Sequence, residues 1–210
     1  MARYLARHGQ DYDNKLGLLN GRRDEALSDL GVEQAFALAR GMQTTGIIFD
    51  AVYCSPLRRA HATAQIACDA LDLPPPKVMQ DLVEKDYGTM AGQKICDIKR
   101  LCGDAILETN FTIGTNLTYF LDAMGGEDYP QTLLRAHRVW EKVDHLHAPE
   151  ENVLLVGHGC MGKMLFAAYH GMDWKDCLQH FHFGNTDLLE LSKERGIENP
   201  YVLQFEQYNH

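Results

Sequence analysis

The sequence lacks any apolar run of the ~20 residues that a membrane-spanning helix requires. Residues 1–8, Met-Ala-Arg-Tyr-Leu-Ala-Arg-His, contain no apolar core long enough for a secretory signal. No pair among the six cysteines has the Cys-x-x-Cys spacing of redox and zinc motifs. We therefore expect a cytoplasmic protein with no membrane partner, in which the cysteine thiols are reduced and mostly buried.

Positive charge is also scarce, because 20 lysines and arginines are set against 29 aspartates and glutamates, a formal net charge of -9. This balance argues against nucleic acid as the main partner. A chain of 210 residues with 45% hydrophobic content suits one domain over residues 1–210. An anionic substrate would need a local basic pocket within that domain.

Apolar runs rich in β-formers predict strands at residues 2–6, 47–54, 77–79 and 153–156, with closing strands at 188–191 and 201–205. The run at 153–156 is continuously apolar, as expected for a strand buried on both faces of a parallel sheet. Helical spacing follows several of these runs. The alternation of strands and helices predicts a layered α/β fold.

Helix starts are indicated by their capping residues. Ser28 is the predicted N-cap of a helix that ends at Gly46, and Ser55 with Pro56 predicts the start of the next. Residues 74–76, Pro-Pro-Pro, end that second helix. Further helices are predicted from Pro130, after Gly159, near residues 95–101 and near residues 117–124.

Two predicted strands end in a histidine beside glycine, in Arg7-His8-Gly9 and Gly157-His158-Gly159. Ligands of open α/β sheets bind outside the carboxyl ends of the strands, so the two histidines could converge. An imidazole can act as a nucleophile, and a guanidinium can hold an anion by two hydrogen bonds. The helix that starts after Gly159 would add amide donors for an anion. Taken alone, the Arg-His pair could equally be an exposed loop.

A third predicted strand end leads into Arg58 and Arg59, in the first turn of a helix. Arginine is poorly placed there for the helix itself, because the helix dipole favours anions at that end. The alternatives are a solvated basic turn and a guanidinium aimed at the same phosphate, and we favour Arg59 in the second role.

Four segments resemble the motifs of the histidine phosphatase superfamily, the phosphoglycerate-mutase-like proteins. Residues 5–9 resemble its Arg-His-Gly signature, and residues 55–64 its Ser-x-Leu-x-Arg-Ala-x-x-Thr-Ala segment. Residues 82–88 resemble the segment that carries the family's acid, and residues 156–159 the second-histidine motif. The resemblance implies a three-layer α/β/α sandwich with a mostly parallel central sheet, in which residues 93–128 form a small cap insertion.

The resemblance also implies a mechanism that these residue types support. His8 would attack phosphorus and become a phosphohistidine, while Arg7, Arg59 and His158 would surround the transferring oxygens. Glu84 would protonate the leaving oxygen and then take a proton from water, with Asp86 as the competing acid. No metal or other cofactor is needed, because side chains supply the positive charge.

The resemblance also implies which residues of this sequence contact the substrate, because they occupy the positions that do so in the family. Asn14, Asn20 and Gly21 fall where the family contacts phosphate and substrate, and Gly159 opens the helix after the second histidine. Cys160 stands where the mutases usually carry asparagine, and Gln10 replaces a frequent glutamate. These departures leave phosphate chemistry intact but leave the substrate open.

Three functions remain within the family. We favour a phosphatase of the small phosphatase branch, a phosphoric monoester hydrolase acting on a small phosphorylated metabolite. The alternatives are a 2,3-bisphosphoglycerate-dependent phosphoglycerate mutase and a catalytically weak relative that binds phospho-ligands. The interval 88–157 holds Arg100, Arg135 and Arg138 but no adjacent arginine pair, which disfavours a mutase. Residues 125–128, Gly-Gly-Glu-Asp, resemble a turn of the small phosphatases and point the same way.

The cap segment carries several apolar residues. They could favour a substrate with an apolar or sugar-like portion, or they could pack on a second subunit in a homodimer. The residues in question are Ile106, Leu107, Phe111, Ile113, Tyr119 and Phe120.

Two further patterns are weaker. Residues 157–162 fit Gly-x-Gly-x-x-Gly after a strand, but too little chain follows for a dinucleotide-binding half. The pairs His145/His147 and His180/His182 lack a third ligand at suitable spacing, so we expect no metal site.

Overall fold

The computed structural model describes residues 2–110, 116–121, 124–192, 194–205 and 207. The strands are β1 Arg3–Arg7, β2 Ala51–Cys54, β3 Lys77–Val78, β4 Ile106–Asn110, β5 Asn116–Phe120, β6 Val153–Gly157, β7 Leu188–Leu191 and β8 Tyr201–Leu203. The helices are α1 Tyr12–Leu16, α2 Asp29–Thr45, α3 Arg58–Ala70, α4 Ile98–Cys102, α5 Tyr129–Leu146, α6 Gly159–His170 and α7 Trp174–His180. Short 3₁₀ turns lie at Gln80–Leu82, Gly88–Met90 and Ile95–Asp97.

The central sheet has the strand order β3-β2-β6-β1-β7-β8. Strands β3, β2, β6 and β1 are parallel, whereas β7 and β8 join antiparallel. In the β1–β6 register Arg7 lies opposite Gly157, so the next residues along the two strands are His8 and His158. The sheet therefore places both histidines at its carboxyl edge.

Successive residues of each central strand belong to opposite faces of the sheet, as the two-residue period of a strand requires. Tyr4 and Leu154 pack in one apolar cluster with Leu38 of α2 and residues of α3. Leu5 and Leu155 pack in the other, with residues of α5 and α6. Helices cover both faces, which confirms the predicted three-layer α/β/α sandwich with a mostly parallel sheet.

Several predicted helix boundaries are confirmed by the capping residues of the helices. The Ser28 side chain accepts a hydrogen bond from the Gly31 amide at the start of α2, and Gly46 ends that helix in a left-handed conformation. Helix α5 starts at Tyr129, immediately before Pro130, with a capping box between Asp128 and Gln131. None of the described helices is both long enough and apolar enough to cross a membrane.

Three local predictions are wrong. Residues 47–50 precede β2 and do not extend it, and the N-cap of α3 is Leu57 instead of Ser55. Residues 116–120 form strand β5 in a hairpin with β4, not a helix, because cross-strand pairing overrides local preference. Phe111 and Ile113 of the cap prediction lie outside the described residues.

Candidate active site

The two histidines lie side by side at the carboxyl edge of the sheet. Their ring centroids are 5.1 Å apart, and the ring planes are inclined at 61°. The His8 amide donates to the Gly157 carbonyl at 3.0 Å, which continues the β1–β6 ladder by one residue. Both rings are buried, with 2% exposure for His8 and none for His158. The convergence that we expected from sequence is present.

The tautomer of His8 follows from its neighbours. Its Nδ1 lies 2.6 Å from the Gly9 carbonyl oxygen, which can only accept, so Nδ1 carries the proton. Its Nε2 is then unprotonated, and its lone pair accepts a 3.2 Å hydrogen bond from Arg59 Nε. Burial, followed by the charges of Arg59 and Arg7, lowers the pKa of His8 well below its usual value. The ring is therefore a neutral imidazole with its basic nitrogen beside a guanidinium.

His158 is held from one side only. Its Nε2 lies 2.8 Å from Ser55 Oγ, so the predicted cap residue Ser55 orients this ring instead. Its buried Nδ1 has no hydrogen-bond partner among the described residues. Burial, followed by the charges of Arg59, His8 and Arg7, lowers the pKa of His158 well below its usual value.

Arg59 is fully buried and lies beside His8, whereas its neighbour Arg58 is exposed. Besides His8, the Arg59 guanidinium donates to the Gly21 carbonyl at 2.7 Å and to the Arg23 carbonyl at 2.6 Å. Desolvation lowers the pKa of Arg59, and nearby carboxylates oppose that shift. The preference for Arg59 over Arg58 thus agrees with the geometry.

Asp11 is a site residue that sequence reasoning missed. Its Oδ2 lies 3.2 Å from Arg59 Nε and accepts from Asn20 Nδ2 at 2.8 Å. Its Oδ1 accepts from the Asn14 amide at 2.7 Å, as the N-cap of α1. Burial raises the pKa of Asp11, and the charge of Arg59 opposes that rise. An aspartate three residues after His8, followed by a helical turn, was the signal available.

Arg7 reaches into the cavity next to the histidines. Its Nη1 donates to the Phe183 carbonyl at 2.6 Å, and its guanidinium passes Gly159 so closely that an added Cβ there would lie 3.5 Å from Arg7 Cζ. Its buried Nε has no hydrogen-bond partner among the described residues. Arg7 therefore packs against the start of α6 at a distance that would still accommodate a Cβ at position 159.

Glu84 is anchored at the N-terminus of α6. Its Oε1 accepts from the amides of Lys85 and Met161, both at 2.8 Å, and its Oε2 accepts from the Cys160 amide at 3.0 Å. The carboxyl group also lines the cavity. Asp86, the competing acid, accepts from the Gly88 amide at 2.9 Å and is not part of the cavity wall.

Arg135 of α5 holds the loop that carries Glu84. Its guanidinium forms a two-point ion pair with Glu127 at 2.9 and 2.6 Å. It also donates to the carbonyls of Asp81 and Val83 at 2.7 and 2.6 Å. Burial would raise the pKa of Glu127, but the hydrogen bonds and charge of Arg135 lower it overall.

Most, but not all, of the residues predicted to contact substrate line the cavity. Asn14, Asn20, Gly159 and Cys160 line the cavity, whereas Gly21 does not, and its carbonyl serves Arg59. The Oδ1 of Asn14 is buried without a hydrogen-bond partner among the described residues. The Cys160 thiol lies 3.1 Å from the Tyr87 hydroxyl, and burial raises the pKa of that thiol.

The cavity has a volume of about 580 Å³. Its described lining includes one carboxylate, Glu84, and four cationic side chains, although the protein as a whole is acidic. His8, Arg59 and His158 are buried and are not part of this lining, but Arg7 and Gly159, which precede His8 and follow His158 in the chain, are. Its cationic side chains are Arg7, Lys94, Lys99 and Lys163.

Sequence reasoning missed Lys163, which lies on α6 and is almost fully buried. Its Nζ donates to the Leu178 carbonyl at 3.1 Å and to the Phe181 carbonyl. Burial lowers its pKa to about 8. Within the described parts of the chain, no three His, Cys, Asp or Glu side chains are arranged to hold a metal ion.

Known proteins resemble this chain along most of its length. The family model of the histidine phosphatase superfamily (branch 1) matches residues 3–199. Curated relatives from Brucella melitensis and Brucella ovis, named 2,3-bisphosphoglycerate-dependent phosphoglycerate mutases, are 29% identical over 206 residues, covering 95% of this chain and 96% of theirs.

Solved structures share the fold at lower identity. A mycobacterial glucosyl-3-phosphoglycerate phosphatase complexed with VO3 is 24% identical, with a TM-score of 0.75 over 91% of this chain and 92% of that chain. Phosphoserine phosphatase from Entamoeba histolytica, complexed with 3-phosphoglyceric acid, is 23% identical, with a TM-score of 0.71 over 97% and 94% of the two chains.

Proposed function

The chain belongs to the histidine phosphatase superfamily, and we propose that it is a metal-independent phosphatase that hydrolyses a phosphomonoester of a small metabolite. One observation carries the proposal. The neutral His8 presents its basic Nε2 beside Arg59 and His158, next to a cationic cavity in an acidic protein. Phosphoryl transfer needs a nucleophile of this kind surrounded by positive charge.

In the first half-reaction, His8 Nε2 attacks phosphorus and the bond from phosphorus to the ester oxygen breaks. Glu84, in its protonated form, gives its proton to that leaving oxygen, and an alcohol departs. The product is a phosphohistidine. Its ring charge is stabilised by the Nδ1–H hydrogen bond to the Gly9 carbonyl.

In the second half-reaction, the Glu84 carboxylate takes a proton from water, and the oxygen of that water attacks phosphorus. The bond from phosphorus to Nε2 breaks, inorganic phosphate leaves, and His8 returns to its neutral form.

The unpartnered polar atoms support the placement of the phosphoryl group. Arg7 Nε and His158 Nδ1 are buried, and neither has a hydrogen-bond partner among the described residues. Buried polar groups are normally paired, so the oxygens of a bound phosphoryl group would satisfy both. With Arg59, these groups would stabilise the charge of the transition state.

A mutase is the second candidate, since the curated relatives carry that name at 29% identity. It would need arginines free to bind a glycerate carboxylate. Arg135 is committed to Glu127 and two carbonyls, while the side chains of Arg100 and Arg138 are 70% and 57% exposed. The contacts of Arg135 and the exposed positions of Arg100 and Arg138 therefore favour the phosphatase over the mutase.

Phosphate release from a panel of phosphorylated metabolites, in the presence of a chelator, tests the proposal. We expect release from at least one compound with the chelator present. Conversion of 3- to 2-phosphoglycerate, primed by 2,3-bisphosphoglycerate, should be followed in parallel. Fast isomerisation with slow release would make the protein a mutase, and binding without either reaction would make it a binding module.

The intermediate can be trapped by acid-free quenching with labelled substrate. We expect His8→Ala to lose both turnover and the acid-labile phosphoenzyme. His145→Ala, at an exposed position on α5, is the matched control and should retain both. A phosphoenzyme that persists in His8→Ala would identify another nucleophile, with His158 the next to test.

A further inference from the structure

The cavity is larger than a phosphoryl group with a short polar body requires. Its volume of about 580 Å³ lies in the range of roughly 300–1,000 Å³ seen for pockets that enclose drug-sized ligands. Arg7, Asn14, Glu84 and Gly159 account for the end near the histidines. The remaining wall determines which chemical groups the rest of the ligand can carry.

Part of that wall is built from two loops joined by backbone hydrogen bonds. The Leu19 amide donates to the Gln93 carbonyl, the Gly92 amide to the Leu19 carbonyl, and the Ile95 amide to the Gly17 carbonyl, at 2.7–2.9 Å. These bonds fix the wall without help from a ligand. The side chains that it contributes to the cavity include Leu16, Leu19 and Ile95.

Leu16 is the most informative of these residues. It lines the cavity and yet is 65% exposed, which is high for a leucine. Ile98, Leu117 and Phe183 add further apolar surface to the lining. An exposed apolar side chain within a ligand cavity gains free energy when an apolar ligand covers it.

Carboxylates, the strongest acceptors for sugar hydroxyls, are scarce in the described lining. Glu84 is its one carboxylate, and the two oxygens of Glu84 already accept three backbone amides. Lys94 and Lys99 contribute donors and methylene stems, and Lys99 is paired with Glu108.

We propose that the substrate is a phosphomonoester with an apolar body, an alkyl or aryl group larger than a three-carbon unit. This rests on the proposed phosphatase function, because the phosphate end fixes which part of the ligand meets the apolar wall. Of the two alternatives that the composition of residues 93–128 left open, the apolar side chains of the wall favour the apolar portion over the sugar-like one.

The kinetic test is a series of n-alkyl phosphates from ethyl to octyl, with glycerol phosphate and glucose 6-phosphate for comparison. We expect kcat/KM to rise about fourfold per methylene until the wall is covered. Leu16→Ser should lower the slope of kcat/KM against chain length. Leu134→Ser, 61% exposed on α5 and outside the cavity lining, is the matched control and should leave the series intact.

Binding separates this inference from the proposed function. The affinity of non-hydrolysable n-alkylphosphonates, measured by calorimetry, should rise with chain length whether or not the protein turns over. No hydrolysis of any phosphate ester would end the phosphatase proposal alone. Affinities and kcat/KM values that stay flat along the series, or favour glucose 6-phosphate over octyl phosphate, would overturn the apolar substrate.

Discussion

At the scale of single residues, the environment of His8 determines when it can act as a nucleophile. Burial and the charges of Arg59 and Arg7 lower the pKa of His8 well below 6.5. The ring therefore stays neutral as pH falls through 6.5. We predict that the acidic limb of kcat/KM, measured with a substrate whose phosphate charge is accounted for, lies below pH 6.5. A half-maximal point at or above 6.5 would contradict the geometry of this site.

Glu84 and Asp86 provide the second residue-scale prediction. Glu84→Gln keeps the size of the side chain but removes the proton that the leaving oxygen needs. We expect kcat on an alkyl phosphate to fall about 10²- to 10⁴-fold. In kcat/KM, which covers only the steps up to the phosphoenzyme, the loss on p-nitrophenyl phosphate should be smaller than the loss on the alkyl phosphate, because that leaving group departs without a proton.

Asp86→Asn is the matched control. Asp86 caps the Gly88 amide and lies outside the cavity wall, so kcat should change less than about threefold. A large loss in Asp86→Asn with none in Glu84→Gln would transfer the acid role to Asp86.

Some site residues could be predicted from local sequence motifs, whereas others became apparent only from contacts between distant parts of the chain. Arg7, His8 and His158 could be predicted because each lies at or just after the end of an apolar run that forms a strand, and Arg59 because it lies in the first turn of the helix that follows β2. Asp11 could not, because its value comes from a 3.2 Å contact with Arg59, far away in sequence. Such pairing depends on how two loops pack, which local patterns do not encode.

At the scale of elements, the central sheet could be predicted from local sequence, whereas the hairpin strand β5 within residues 93–128 could not. The central strands are predictable because burial on both faces demands continuous apolar sequence. Strand β5 was wrongly predicted as a helix, since a short segment carries little periodicity and its pairing with β4 decides the conformation. The role of Ser55 was misassigned for a similar reason, because its partner His158 belongs to another strand end.

The loop that carries Glu84 lies in close backbone contact with Gly126. A Cβ on Gly126 would overlap the backbone of Asp86 and Gly88, and Gly88 itself has a left-handed φ of 52°. The Gly-Gly-Glu-Asp turn thus packs directly on the loop that carries Glu84. The sequence resemblance identified this turn, and its contacts give the physical reason for its glycine.

Arg135 provides the element-scale prediction. Arg135→Met would remove the donor of the Asp81 and Val83 carbonyls and would leave Glu127 with only the longer 3.4 Å contacts from Arg22 and the Asp86 amide. Breaking a buried ion pair on one side costs about 3–5 kcal/mol, so we expect a loss of that order in the free energy of unfolding. Displacement of the Glu84 loop should also lower kcat. Urea unfolding and steady-state kinetics measure the two effects.

Arg138→Met is its control on the same helix. The Arg138 side chain is 57% exposed and lies 3.8 Å from Asp81, so its removal should cost less than about 1 kcal/mol and leave kcat unchanged. Equal effects of the two substitutions would mean that α5 as a whole, and not the Arg135 contacts, supports the loop.

At the scale of the whole molecule, two electrostatic effects oppose each other in acid. The net charge of -9 at pH 7 falls towards zero near the pI of about 5.5, which reduces self-repulsion and favours the folded state. The buried histidines act the other way. The pKa values of His8 and His158 are lowered well below 6.5 in the folded protein, so below pH 6.5 the unfolded chain binds more protons.

We predict that the histidines dominate, because both rings are almost completely buried whereas most of the acidic charge is exposed to solvent. The free energy of unfolding, measured with urea, should fall as pH decreases from 7.5 to 5.5. His158→Gln keeps a partner for Ser55 but cannot take up a proton, so its decrease over this range should be smaller. Gain of stability towards the pI would show that net charge controls acid stability instead, and an unchanged slope in His158→Gln would show that His158 does not cause the decrease.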